Sequence, residues 1–399
     1  MILQLLLLTF TGIFFGIFTG LIPGIHINLI SLLLLSISPI LLQYINVFSL
    51  AIFIIAMSVT HTFLDSIPSI FLGAPDSAQA LGVLPGHRYL LRGQGLMAVK
   101  LTIIGSFGAI ILSTILFPLL LPIIHIIYPI IQPFIGYLLI IVVIFMILRD
   151  KLKLWALLIF FLSGIFGFIT FQLNLSNPLF PMLSGLFGVS TLLISLKDKN
   201  KIPEQKQMTK IKLKKSKTVK ALLSGQFSGF LTSVFPGLGS AQAAIISMQI
   251  TPDLGDHGFM ILVGAINTAN FTMSLATLYV LNKARNGSLV AISSLIESFS
   301  IKEILLFLAV ALIAGSISVF LALKIGKIFS KVITKVNYKI LVISIISFIT
   351  VLTFFLTGPL GLFILLISTS IGIIPAIVKT SRTHAMGCLL LPVIIYFIL

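Results

Sequence analysis

No lysine or arginine occurs before Arg88, and apolar runs of near 20 residues recur from the N-terminus to the C-terminus. About 20 apolar residues span the hydrocarbon core of a bilayer as a helix. A chain that is 58% hydrophobic and 9% charged, with mean hydropathy +1.21, has too much apolar surface for a soluble domain to bury. The expectation is an all-α polytopic membrane protein with about 10–14 membrane segments. A transmembrane β-barrel would instead show short alternating segments. A secretory leader would open with a basic region, so the first apolar run reads as a retained helix. One cysteine, Cys388, excludes internal disulfides and cysteine metal cages. No Gly-rich phosphate loop ending in Gly-Lys-Ser/Thr is present.

The net charge is +17, and ten of the 26 basic residues lie in 197–220. Other clusters fall at 88–100, 149–153, 324–339 and 379–382. This placement reads as cytoplasmic loops under the positive-inside rule, with 197–220 a solvated linker that could also meet anionic lipid. It is not read as a nucleic-acid surface.

Taking the clusters as cytoplasmic, 97–124 and 154–175 run outward, and 125–148 and 178–196 run inward. In the second half 303–323 and 358–378 run inward, and 340–356 and 386–399 run outward. Each half thus ends in four candidate spans of opposite sense, the pattern of two inverted-topology repeats. The expected organisation is a first repeat at 1–196, a basic linker at 197–220 and a second repeat at 221–399. Before residue 85, re-entrant hairpins and full crossings look alike.

The fronts of the halves align at an offset of 213, where "GIFTGLIPGIHIN" faces "GFLTSVFPGLGSA". Further on, "THTFLDS" at 60–66 weakly resembles "INTANFT" at 266–272. Each half carries a Pro-Gly pair, Pro23–Gly24 and Pro236–Gly237. Proline removes a backbone donor and glycine permits unusual conformations. At membrane depth the freed groups must line a wet cavity or find partners. The second half-helix of such a break offers N–H groups and a dipole that favour an anion. The small polar neighbours are His26 and Asn28 in one half, and Gly239, Ser240 and Gln242 in the other. The Gly12, Gly16, Gly20, Gly24 ladder and the Gly225–Gly229 pair read as close helix packing.

His61 and Asp65, four residues apart, share a helical face, and ionisable groups inside a membrane tend to be functional. A further break at Pro75 is followed by Asp76 and Ser77. Asn267, Thr268 and Asn270 could coordinate Na⁺ through oxygen. Lys283 or Arg285 could hold a carboxylate or serve only as topological charges. His125, Trp155 and His384 read as interfacial or loop residues.

"PSIFLGAPDSAQALGVLPGHRYLLRGQGLMAVKLTIIGS" at 68–106, "FPGLGSAQA" at 235–243 and "IGIIPAIVKTSRTHAMGCLLLPVII" near the C-terminus together resemble the large membrane subunit of tripartite tricarboxylate transporters, in the compact archaeal form of that TctA-type family. The resemblance covers nearly the whole chain. The chain reads "GAPDSAQA" where the family more often carries a Pro-Gly-Thr-Pro run. The resemblance implies a cell-membrane permease that moves carboxylates on an ion gradient. It also implies a small membrane subunit and an extracytoplasmic binding protein as partners. The functional positions it implies are Pro23, Gly24, Pro75, Asp76, Ser77, Pro236, Gly237 and Asn267.

The resulting expectation is a secondary transporter for a small anionic solute, working by alternating access and compatible with a homo-oligomer. Pro23, Gly24, His26, Asn28, Pro75, Asp76, Ser77, Pro236, Gly237, Gly239, Ser240 and Gln242 are the candidate substrate residues. His61, Asp65, Asn267, Thr268 and Asn270 are the candidates for sensing a coupling Na⁺ or H⁺. No cofactor, catalytic group or resident metal is expected. The rival classes are an intramembrane enzyme or flippase acting on a lipid-linked substrate, and a channel. No His-Glu-x-x-His or paired-aspartate motif supports the enzyme.

Overall fold

A computed structural model describes residues 2–22, 27–72, 83–173, 175, 178–197, 203–207, 211, 213–235, 239–284, 286–296, 298–335 and 337–398. Among these the chain is helical, with no strand. The first half contains α1 (Ile2–Leu21), α2 (Ile27–Ser36), α3 (Ser38–Leu41), α4 (Val47–Leu64), α5 (Ser66–Phe71), α6 (Val83–Leu91) and α7 (Gly95–Ile131). It closes with α8 (Ile135–Arg149), α9 (Lys153–Gln172), α10 (Leu179–Leu183) and α11 (Ser190–Lys197). The second half contains α12 (Lys215–Val234), α13 (Ser240–Ile250), α14 (Gly255–Leu281), α15 (Gly287–Leu295), α16 (Ile301–Val332), α17 (Tyr338–Val378) and α18 (Gly387–Ile398).

Seven helical stretches among the described residues are long and apolar enough to cross a membrane. This is a multi-pass membrane protein. Two of the seven exceed one crossing. Gly95–Arg149 passes through a short 3-10 segment at Gln132–Phe134, and α17 breaks at Gly358, whose φ of 67° and ψ of −164° suit glycine. The α17 break falls where the charge pattern expects a turn, between 356 and 358. The α7 helix continues past 124, where the charge pattern expects a turn, to Ile131. Pro118, Pro122 and Pro129 sit inside α7 without ending it, because helices in bilayers re-satisfy the groups a proline frees. His125 is therefore an exposed residue on a helix, not in a loop.

Polar residues punctuate the apolar runs at helix starts. Asn46 accepts from the Ser49 N–H at 2.7 Å and Asn286 from the Leu289 N–H at 2.9 Å. Ser300 and Glu303 form a reciprocal cap on α16. Asn286 is thereby assigned a capping role.

Two units with separate apolar cores result. The core unit holds α1–α7 and α12–α16. In it α1 packs along α4, and both α12 and α7 pack along α14. The hairpin unit holds α8–α11, α17 and α18. Its helices trade partners between halves: α18 packs on α8 and α9, while α10 and α11 pack on α17. Glycines set these approaches. A Cβ at Gly12, Gly16 or Gly20 would strike α4, and one at Gly225 or Gly229 would strike α14. The packing reading of these five positions stands; Gly24 lies outside the described residues.

The element order recurs. Both α1 and α12 are 20 residues long and lie 213 positions apart, and α2 and α13 start 213 positions apart. The basic stretch at 197–220 is more than a solvated linker. Gln205 is buried; it accepts from the Gly95 N–H at 2.9 Å and donates to the Leu90 carbonyl at 3.0 Å.

Candidate functional site

The local cause of the site is Pro68. It has no N–H for the Leu64 carbonyl, so the hydrogen-bond ladder is interrupted between α4 and α5, while the backbone at Asp65 stays right-handed helical, with φ −60° and ψ −23°. Nearby serines donate to neighbouring carbonyls: Ser69 to that of Asp65 at 2.9 Å and Ser66 to that of Phe63 at 3.4 Å. Asp65 is 3% exposed and His61 4%. The stretches Val47–Phe71 and Pro252–Leu281 are 83% and 94% buried, against 28–44% for the other five. The interruption therefore lies in the protein's centre, away from lipid.

Across from it stands α14. Asn267 Nδ2 donates to Asp65 Oδ2 at 2.6 Å and approaches the Thr62 carbonyl at 3.4 Å. Thr62 and Thr268 bring their hydroxyl oxygens to 3.2 Å. These two threonines face each other in the weak alignment of 60–66 with 266–272. Buried hydroxyls extend the polar path. Thr102 donates to Ser66 Oγ at 3.1 Å, and Ser318 to Thr60 Oγ1 at 3.1 Å. Thr272 donates to Ser113 Oγ at 2.8 Å, and Gln226 Nε2 donates to the same oxygen at 2.9 Å. Each would cost about 1–3 kcal/mol if buried without a partner.

Of the expected ion-sensing residues, the structure brings Asp65, Asn267 and Thr268 together, with His61 one turn before Asp65. Asn270 is half-buried against α12, where its backbone nitrogen lies close to Gly229. Of the expected substrate residues, Pro23, Gly24, His26, Pro75, Asp76, Ser77, Pro236 and Gly237 lie outside the described residues, as does Arg285. Asn28 and Gln242 belong to α2 and α13, and their side chains are not described. Gly239 caps α13 with extended backbone, and Ser240 is buried in its first turn. In both halves a helix stops shortly before the Pro-Gly pair and another starts shortly after. Leu72, the last described residue before Pro75, packs against both units, and so does Phe235, which precedes Pro236. Leu72 and Phe235 thus lie at the seam between the units. Lys283 is exposed, with its ammonium 5.2 Å from the Tyr128 ring centre.

The sequence profile of the tripartite tricarboxylate transporter TctA family matches residues 6–387. The chain belongs to the TctA family. As a TctA-family protein it is a component of a transport system. An uncharacterised protein of Methanocaldococcus jannaschii is similar too, 29% identical over 409 residues that cover all of this chain and 98% of the relative. No solved structure matches.

Reading from the sequence missed the pair formed by Asp150 and His384. His384 is buried rather than interfacial, and its Nε2 lies 2.9 Å from Asp150 Oδ2. Arg382 donates to Thr191 Oγ1 beside it. Each basic cluster contributed one visible sign, a lone acid in 149–153 and a lone histidine after 379–382. Gln226, an amide within an apolar stretch, was the corresponding sign for the Ser113–Thr272 network.

Proposed function

We propose that this chain is the carrier of a secondary transport system in the cell membrane. It moves a small anionic solute, a di- or tricarboxylate, by alternating access on a Na⁺ or H⁺ gradient. The reading is carried by the hydrogen bond between Asp65 and Asn267, which joins stretches 60–66 and 266–272 from opposite halves in the buried centre. Intramembrane carboxylates are costly and mark ion pathways. In this proposal Asp65, His61, Asn267, Thr268 and Asn270 sense the coupling ion.

The substrate would lie at the seam, between the Pro23–Gly24 and Pro236–Gly237 breaks and the Pro75–Ser77 loop, with the starts of α2 and α13 offering N–H groups to its carboxylates. Movement of the core unit against the hairpin unit would expose the seam to each side in turn. The family's name describes a tripartite system, which supports a small membrane subunit and an extracytoplasmic binding protein as partners.

The test is uptake of labelled di- and tricarboxylates into proteoliposomes under imposed Na⁺ and H⁺ gradients, with the partner subunits added in a second series. Saturable, gradient-driven uptake that Asp65→Asn uncouples from the ion is the expected result. Flux that does not saturate would replace the carrier by a channel.

A further inference from the structure

Asn267 stands between two acceptor oxygens contributed by the other half. Its Nδ2 is 2.6 Å from Asp65 Oδ2 and 3.4 Å from the Thr62 carbonyl oxygen. A side-chain amide carries a donor and an acceptor of nearly equal size on one planar group. Turned over about its Cβ–Cγ bond, Asn267 would aim Oδ1 where the nitrogen now points. Three oxygens, one of them a carboxylate's, would then converge and repel unless a cation stood among them. Two hydroxyls flank the place. Thr62 Oγ1 donates to the Val59 carbonyl at 2.8 Å, which leaves its lone pairs for other partners, and Thr268 Oγ1 lies 3.2 Å from it. Carboxylate, carbonyl, amide and hydroxyl oxygens are the ligand set of hard cations.

We infer that Asn267 is the switch of a hard monovalent-cation site built with Asp65, Thr62 and Thr268. With nitrogen inward, the amide ties α4 to α14. With oxygen inward, it joins the cation's ligands, and the bound cation bridges α4 and α14 in place of the N–H···O bond. The inference rests on the carrier reading and deepens it, because it names the ion class and the residue that links ion binding to contact between the halves. A monovalent ion fits the charge: one carboxylate takes part, and no three His, Cys, Asp or Glu side chains group together among the described residues. The repeat also supplies one such site, not two. At the offset of 206 that aligns 60–66 with 266–272, Phe271 stands opposite Asp65, and His61 opposite Asn267.

The experiment is calorimetric titration of NaCl into the purified full chain in detergent without substrate, with choline chloride as the ionic-strength control. Wild type should bind Na⁺ saturably. Asn267→Asp keeps the shape, puts oxygen in both positions, and should bind Na⁺ about tenfold more tightly at alkaline pH. Asn267→Ala and Asp65→Asn should lose at least about tenfold. Thr268→Val, of unchanged shape, should lose a smaller factor. Variants are read only if they elute as a single species; the wild-type titration decides on the cation site without them. A wild type that responds equally to Na⁺ and choline overturns the inference, as does Asn267→Ala with unchanged affinity. Carboxylate uptake without Na⁺ binding would overturn it and leave the carrier standing. Asn267-dependent Na⁺ binding without uptake of any carboxylate, partners included, would do the reverse.

Discussion

Asp65 owes its setting to a residue it does not touch through its side chain. Pro68 frees the Leu64 carbonyl and interrupts the hydrogen-bond ladder beside Asp65. Pro68→Ala would restore a backbone donor and complete the ladder. The expected outcome is unchanged or higher thermal stability together with weakened ion dependence of uptake; full ion dependence in the variant would show that the interruption is incidental. At the other titratable pair, burial pushes the Asp150 carboxyl up. Hydrogen bonds from the Leu152 N–H, His384 and the Ser381 N–H outweigh it and hold the group below the usual carboxylate range. A folded pKa below the unfolded one, about 3.9 for aspartate, stabilises the protein above that value and is lost as pH falls through the folded pKa. Asp150→Asn should therefore lower stability by roughly 1.5–3 kcal/mol at neutral pH. The deficit should vanish in acid below the ordinary carboxylate range, as read from unfolding midpoints across pH. Asp65 was legible in the sequence because it is an acid in a long uncharged run. The Asp150–His384 pair was not, because its members are 234 positions apart and each resembles a loop residue.

Helix crossings here are set by absent side chains. Gly105 of α7 meets the α14 backbone at Ile261 and Ala265, and Gly264 of α14 meets the α7 backbone at Thr102. Because backbone cannot give way as a side-chain tip can, Gly264→Val must push the two helices apart. Overpacking costs about 1–3 kcal/mol, and this crossing also aligns Asn267 with Asp65. Folded yield and Asp65-dependent cation binding should fall together; retention of both would mean that the crossing has slack. Gly358→Ala should cost about 1–3 kcal/mol, because φ 67° with ψ −164° is open essentially to glycine alone, with the α17 break kept. Elements with a charge or glycine signal at their ends were readable: the α17 break, the start of α16 and the 213-residue recurrence of α1 and α12. The continuation of α7 to Ile131 was not, since proline reads as a terminator in any window too short to include the neighbouring helices that tolerate it. The docking of Gln205 was also hidden, because the basic residues around it signal solvent and its partners lie far away in the chain.

At the scale of the molecule, the contacts of Asp150 with His384 and of Thr191 with Arg382 bring the basic clusters 149–153 and 379–382 to one end. The charge pattern expects that end to be cytoplasmic. In a Cys388→Ala background, cysteines at positions 151 and 379 should react only with a reagent supplied from the cytoplasmic side, and one at position 302 only from outside. Reaction of position 302 from the cytoplasm would rule out halves of opposite sense. The exchange of partners in the hairpin unit bears on how such a protein comes to exist. Gly185, between α10 and α11, lies against Leu365 and Ser368, and Gly372 lies against Leu186 and Ser190. The first half is synthesised with this face complete and nothing to cover it, and about a third of the chain must follow before α17 arrives. Biogenesis therefore has a waiting period, during which lipid or an insertion factor must occupy the face, and a ribosome that stalls in the second half leaves a first half that cannot close.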